Sequence, residues 1–164
     1  MVPVAELLDR YVTNMGADHL GEDAPNDTLY RASEGTNYGW PYCYQADGAI
    51  HWDEEKNYAT PFDCATVPLA YAVFEAHSAP LGIERFDDGT FLVALHGSGI
   101  VSQARGDSIV RVLPDGTVED YITGFQVGNT RYGRPAGILK EDEHTFYFTD
   151  DRNGVLYRVD LNDR

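Results

Sequence analysis

Short apolar runs, each closed by a polar turn, follow one another along this chain, and their order repeats. In the middle stand Pro80-Leu81-Gly82-Ile83, Thr90-Phe91-Leu92-Val93 and Ile109-Val110-Arg111-Val112. Near the end stand Pro135-Ala136-Gly137-Ile138, Thr145-Phe146-Tyr147-Phe148 and Leu156-Tyr157-Arg158-Val159. The first two elements recur at an offset of 55 residues and the third at 47, because the middle copy carries a longer loop from Gly97 to Gly106. A partial copy opens the chain. There Tyr11-Val12-Thr13-Asn14 resembles Tyr147-Phe148-Thr149-Asp150, and Leu29-Tyr30-Arg31-Ala32 resembles Leu156-Tyr157-Arg158-Val159.

The runs are rich in β-branched and aromatic residues, and Asp88-Gly89, Asp115-Gly116 and Asn153-Gly154 punctuate them. Such dipeptides accept the left-handed backbone of tight turns, so each repeat reads as strand, turn, strand, loop, strand. Residues 117–122 supply a fourth, outer strand to the middle unit. Four strands at a period near 50 make a β-propeller blade. Helix signals are thin: residues 4–9 allow a turn or two with no good cap, and residues 70–76 are bracketed by Pro68 and Pro80. The latter segment reads as a connection ending in a strand.

The pattern predicts an all-β chain, one propeller segment over residues 1–164, with blades roughly at 1–70, 71–125 and 126–164. Closed propellers have at least four blades, so two clear repeats and one partial repeat leave a ring unfinished, with open edges. The chain is expected to be the C-terminal part of a longer protein; the other reading is that copies assemble to close a ring.

Composition narrows the partners. The 164 residues carry a formal net charge of −15, which disfavours nucleic acid and anionic membrane surfaces and leaves neutral sugars and cations open. The bland reading of that charge is solubility. Apolar runs fall short of the roughly 18 residues that would span a bilayer. The N-terminal residues lack the basic and apolar regions of a signal peptide. Cys43 and Cys64 do not have Cys-x-x-Cys spacing, so neither a zinc knuckle nor a redox pair fits; they read as a disulfide or as two unrelated thiols. Nucleophile elbows and phosphate-binding glycine loops are also missing.

Asn37-Tyr38-Gly39-Trp40-Pro41 resembles the Asn-Tyr-Gly-Trp-Pro signature of the glucose/sorbosone dehydrogenase family. The segments Gly16 to Asp23 with Pro25 to Tyr30, His77 to Gly82, Ala94 to Ser98, Gly133-Arg134-Pro135, and Thr149 to Val159 are similar to further family segments, in the same order. The resemblance covers residues 11–160. It implies a six-bladed propeller in the complete protein, of which about two to three blades are present. It also implies pyrroloquinoline quinone (PQQ) at the central channel, a calcium ion polarising the quinone, and oxidation of an aldose or sorbosone-like aldehyde with hydride transfer to PQQ. Periplasmic or secreted location and a Cys43–Cys64 disulfide follow from the same resemblance. The electron acceptor is unspecified.

Residue by residue, the resemblance gives calcium the backbone carbonyls of Gly21 and Glu22, hard oxygens of the type calcium prefers. The family pattern has Gly-Pro here, so Glu22 is a departure. The bland reading of Asp18, Glu22, Asp23 and Asp27 is a solvated acidic turn. Arg134 matches a family arginine on the cofactor's acidic groups, where a guanidinium fork suits carboxylates; Arg131 would substitute if the register slipped. His96 ends an apolar strand and His77 opens the neighbouring one; each is a candidate for cofactor or sugar contact, or a satisfied structural histidine. Some family members place a lysine near here, where this chain offers only Arg105. The catalytic base is expected upstream, so no residue here takes that role and the 164-residue chain alone is expected to be inactive. The alternative is a non-catalytic propeller module that binds carbohydrate or protein.

Overall fold

The computed structural model describes residues 10–99, 102 and 104–161. The short helix read at residues 4–9 and the leader reading of the N-terminus lie outside the described residues. Among the described residues everything regular is β, apart from two 3-10 turns at Asp18–Leu20 and Cys64–Thr66. Strands β1 (Arg10–Asn14) and β2 (Asp27–Ala32) pair antiparallel; β3 (Cys43–Ala46) and β4 (Ala49–Trp52) form a hairpin; β5 (Ala72–Phe74) returns to β2. Then β6 (Pro80–Arg85), β7 (Phe91–Leu95), β8 (Ser108–Val112) and β9 (Val118–Ile122) make a four-stranded meander. A small ribbon of β10 (Gln126–Val127) and β11 (Thr130–Arg131) precedes the last sheet, β12 (Pro135–Lys140), β13 (Thr145–Asp150) and β14 (Val155–Asp160).

The sequence repeat is a structural repeat. Both β6–β7 and β12–β13 carry a register irregularity at the same place, between Pro80 and Ile83 and between Pro135 and Ile138. The three turn glycines all take left-handed backbone, Gly89 at φ 85°, Gly116 at φ 86° and Gly154 at φ 64°. The strand expected at 117–122 is β9. The short segment bracketed by prolines does end in a strand, β5, but β5 bonds to β2, so the first sheet extends past residue 70.

The sheets stack face to face, because the central strands of the middle sheet, β7 above all, have two apolar faces to bury. All five residues of β7 are buried. Phe91, Val93 and Leu95, with Val110 and Val112 of β8, pack on Leu29, Ala72 and Phe74 of the first sheet. The alternate residues Leu92 and Ile109 face the other way and pack on Phe146 and Phe148 of the last sheet. The period-2 alternation of a strand thus fills two cores from one sheet.

The β3–β4 hairpin lies outside this stack. Its turn, Asp47-Gly48, has positive φ at both residues, 50° and 74°, as a two-residue hairpin turn of the primed type requires. Cys43 at its base bonds to Cys64 across a sequence separation of 21. Closing a loop of that size restricts the unfolded chain and contributes about 3 kcal/mol in the chain-entropy picture. Replacing both cysteines by serine is expected to lower the urea-unfolding free energy by about that amount, and dithiothreitol on the native protein to do the same.

Candidate functional site

Strand ends that converge from stacked sheets bring loops from distant parts of the chain together. The β1–β2, β5–β6 and β7–β8 connections and the approach to β12 meet around a concavity of about 270 Å³. Its lining includes Asp18, Asp27, His77, His96, Gly97 and Arg134. Three of the residues singled out from sequence, His77, His96 and Arg134, therefore share one site. The Asn37 to Tyr44 signature lines none of it. Within that segment Gly39 is required by shape: a Cβ there would sit 2.9 Å from Cys43 Cβ, and Gly39 has φ 92°.

His77 is buried and held in left-handed backbone, φ 65°. Non-glycine residues adopt that conformation only where the surroundings impose it. Its Nε2 lies 2.8 Å from the Gly21 carbonyl, and its Nδ1 lies 3.4 Å from an Asp18 carboxylate oxygen. Asp27 is buried beside it and accepts the backbone N–H of Gly16 at 2.6 Å and of Ala79 at 2.7 Å. Burial pushes the Asp27 carboxyl above the usual range, against the pull of those two N–H groups and of His77. Of the acidic turn, Asp18, Glu22 and Asp23 are solvated and Asp27 is a structural tie.

His96 follows β7, and its Nε2 sits 2.8 Å from an Asp151 carboxylate oxygen just past β13. Arg134 donates from Nε to the His96 carbonyl at 3.0 Å and from a terminal nitrogen to the Gly97 carbonyl. Its own backbone N–H is held by Asp150 at 3.0 Å. No carboxylate among the described residues forms an ion pair with Arg134. In a chain this acidic, a guanidinium left with only neutral acceptors at the wall of a concavity fits an anionic ligand.

Arg131 is placed differently. Its Nε lies 2.9 Å from the fully buried Asp107 carboxylate, and its guanidinium also donates to the Ser98 carbonyl at 3.1 Å. Burial pushes Asp107 up, and Arg131 first, then Arg134 and His96, pull it back. The other Asp107 oxygen has no hydrogen-bond partner. Arg131 thus neutralises a buried acid behind the wall instead of lining the concavity. Sequence reasoning missed Asp107 and the orienting role of Asp151; the signal for the second was the paired Asp150-Asp151 after an apolar strand.

The two carbonyls given to calcium are both engaged. Gly21 O accepts from His77, and Glu22 O accepts from the Arg105 guanidinium at 2.5 Å. Two unit charges 4 Å apart repel by about 4 kcal/mol at an effective dielectric near 20, and a divalent ion doubles that. These residues do not fit a calcium ion at this loop. Among the described residues no group of three or more His, Cys, Asp or Glu side chains is placed to hold a metal, and no helix is long and apolar enough to cross a membrane.

Comparison with known proteins gives the fold. No protein-family model matches the chain. An uncharacterized protein of Borreliella burgdorferi is 29% identical over 169 residues, spanning 91% of this chain and 42% of the relative. Among solved structures, the calcium structure of a Trichoderma reesei protein of Carbohydrate-Active Enzymes Family AA12 superposes with a TM-score of 0.67 at 21% identity, covering 92% of this chain and 47% of that one. The holo form of the pyranose dehydrogenase PQQ domain from Coprinopsis cinerea superposes at 0.58 with 17% identity, covering 91% and 49%. The chain shares the β architecture of these proteins and spans about half their length.

Proposed function

We propose that this chain is part of a quinoprotein oxidoreductase that binds PQQ at the concavity of His77, His96 and Arg134 and oxidises a sugar or sugar aldehyde of the aldose or sorbosone type. The observation that carries the reading is Arg134, a guanidinium with only neutral acceptors at a concavity wall. PQQ presents three carboxylates, the ligand groups that such a fork recognises. The likeness to a PQQ domain supports the same choice.

When bound, PQQ supplies a two-electron acceptor; the chain's own residues bind and orient. Arg134 offers the charge and, through the His96 and Gly97 carbonyls, fixes the loop that forms one wall. Asp151 sets the His96 ring, whose Nε2–H donates to the carboxylate in the neutral tautomer and leaves Nδ1 as an acceptor. His77 ties the loop at Gly21 to the floor. The proton-accepting base, and the blades that complete a six-bladed ring, belong to chain beyond these residues. The Cys43–Cys64 disulfide supports a periplasmic or secreted setting, where such bonds persist.

A second reading, a propeller module that binds carbohydrate without turning it over, draws support from the engaged Gly21 and Glu22 carbonyls. One experiment separates the two. The complete gene product is reconstituted with PQQ, with and without calcium, and dye reduction is followed with glucose, other aldoses and sorbosone. Turnover is expected. Sugar binding with no dye reduction at any calcium concentration selects the module, and failure to bind PQQ overturns the quinoprotein reading.

A further inference from the structure

Two places where the sequence departs from the family it resembles lie about 80 residues apart in the chain and meet in space. One is Glu22, where the pattern has proline. The other is Arg105, in a stretch where some members place a lysine.

The Arg105 guanidinium is seated among oxygens. One terminal nitrogen donates to the Glu22 carbonyl at 2.5 Å and lies 3.4 Å from the Ala76 carbonyl. The other forms an ion pair with Asp23. The Arg105 side chain is mostly buried and the Asp23 side chain is 90% exposed, so the cation is brought to the loop instead of being solvated. Backbone carbonyls and one carboxylate are the ligands that hard cations take. Glu22 adds a tie that proline could not make: its carboxylate accepts the Ser102 hydroxyl at 2.7 Å. Next to this cluster His77 donates to the Gly21 carbonyl at 2.8 Å. Both carbonyls that the resemblance gives to calcium already accept from donors of this chain.

We propose that Arg105 stands in the place that the resemblance gives to calcium and closes the 21–23 loop onto the neighbouring sheet, so that this loop, next to the concavity, is ordered without a metal ion. The inference goes beyond the proposed activity and does not rest on it, since it concerns loop order and is read without PQQ.

The test is the thermal midpoint of the complete gene product, without PQQ, in EDTA and across a calcium titration, for the native protein, Arg105→Ala and Arg105→Met. The native midpoint is expected to shift by less than ~1 °C over that range. Each variant is expected to melt several degrees lower in EDTA. Each is then expected to regain ~3 °C or more, saturably, with calcium but not with magnesium, whose strict octahedral geometry the loop does not offer. A calcium response equal in native and variant protein reports a metal bound elsewhere and overturns the proposal. So does a native response of ~3 °C or more, or a variant indifferent to calcium. Variants that fold only when calcium is present support the proposal; variants that fold under neither condition overturn it.

Discussion

Arg134→Ala is expected to weaken PQQ binding by the complete protein about 500-fold, while Arg131→Ala leaves that affinity within about threefold and lowers stability instead. The contrast follows from what each guanidinium faces. Truncating one partner of a buried, hydrogen-bonded charge pair costs about 2–5 kcal/mol, chiefly because the partner stays behind unpaired. For Arg134 the partner left behind is a ligand carboxylate, so the loss appears in the dissociation constant; about 500-fold corresponds to about 3.7 kcal/mol. For Arg131 the partner left behind is Asp107, whose side chain is fully buried and which already has one oxygen without a partner. Its loss appears as about 3–5 kcal/mol of folding stability. Arg134→Lys keeps the charge without the fork and is expected between, near 30-fold, because an ammonium cannot hold two carboxylate oxygens and the His96 and Gly97 carbonyls at once. Isothermal titration with PQQ, alongside urea unfolding of each variant, reads both axes. If Arg134→Ala binds PQQ as the native protein does, the anion-site reading fails whatever happens to stability.

The same pair shows how far the sequence carries. The 55-residue offset places the strands of the middle and last sheets in register, down to the shared irregularity after Pro80 and Pro135. Repeats of this kind are legible because both copies obey the same period and the same turn chemistry. His77, His96 and Arg134 are also legible, since each borders an apolar run, His96 closing one and His77 and Arg134 preceding one, where a stacked sheet delivers it to a common edge. The β3–β4 hairpin is not legible in the repeat. It belongs to no repeat, and its only local sign was Asp47-Gly48 between short runs that mix tyrosine, histidine and tryptophan with polar residues. The division of labour between Arg131 and Arg134 was not readable either. Both are arginines just before β12, Arg131 closing the β10–β11 ribbon and Arg134 adjoining Pro135, and what separates them is Asp107, 24 residues upstream of Arg131 and brought close only by the fold of the β7–β8 loop. The engagement of Glu22 by Arg105 is hidden for the same reason: a cation's address is set by tertiary contact, not by spacing.

Glycine at the inner strands explains why the repeat opens with Pro-x-Gly-Ile, and it gives the largest stability effect. A Cβ on Gly82 would lie 2.5 Å from the Ala136 carbonyl, 2.7 Å from the Ile138 nitrogen and 2.9 Å from Gly137 Cα. All three are backbone atoms of β12, so nothing at the end of a flexible side chain can move aside; the last sheet must shift as a unit. Such a shift strains the contact of Leu92 and Ile109 with Phe146 and Phe148, and it disturbs the bond from Lys140 N to Glu84 at 3.2 Å. Close-packed interiors respond to inserted atoms by backbone displacement, with costs that exceed the ordinary range when no rotamer offers relief. Gly82→Val is expected to lose about 4 kcal/mol or more, in a class reserved for changes of this type. Gly137 occupies the equivalent place in the next repeat, where its Cβ would meet the Thr149 hydroxyl at 3.2 Å, a side-chain atom of its own sheet. In the isolated chain Gly137→Ala is therefore expected to cost within about 1 kcal/mol. In the complete protein, if a further blade packs on this sheet as the middle sheet's successor packs on Gly82, Gly137→Ala is expected to approach the severity of a change at Gly82. Urea unfolding of both variants in both lengths of chain measures it. Equal, small effects at Gly137 in the two lengths would mean that no further blade closes on this face.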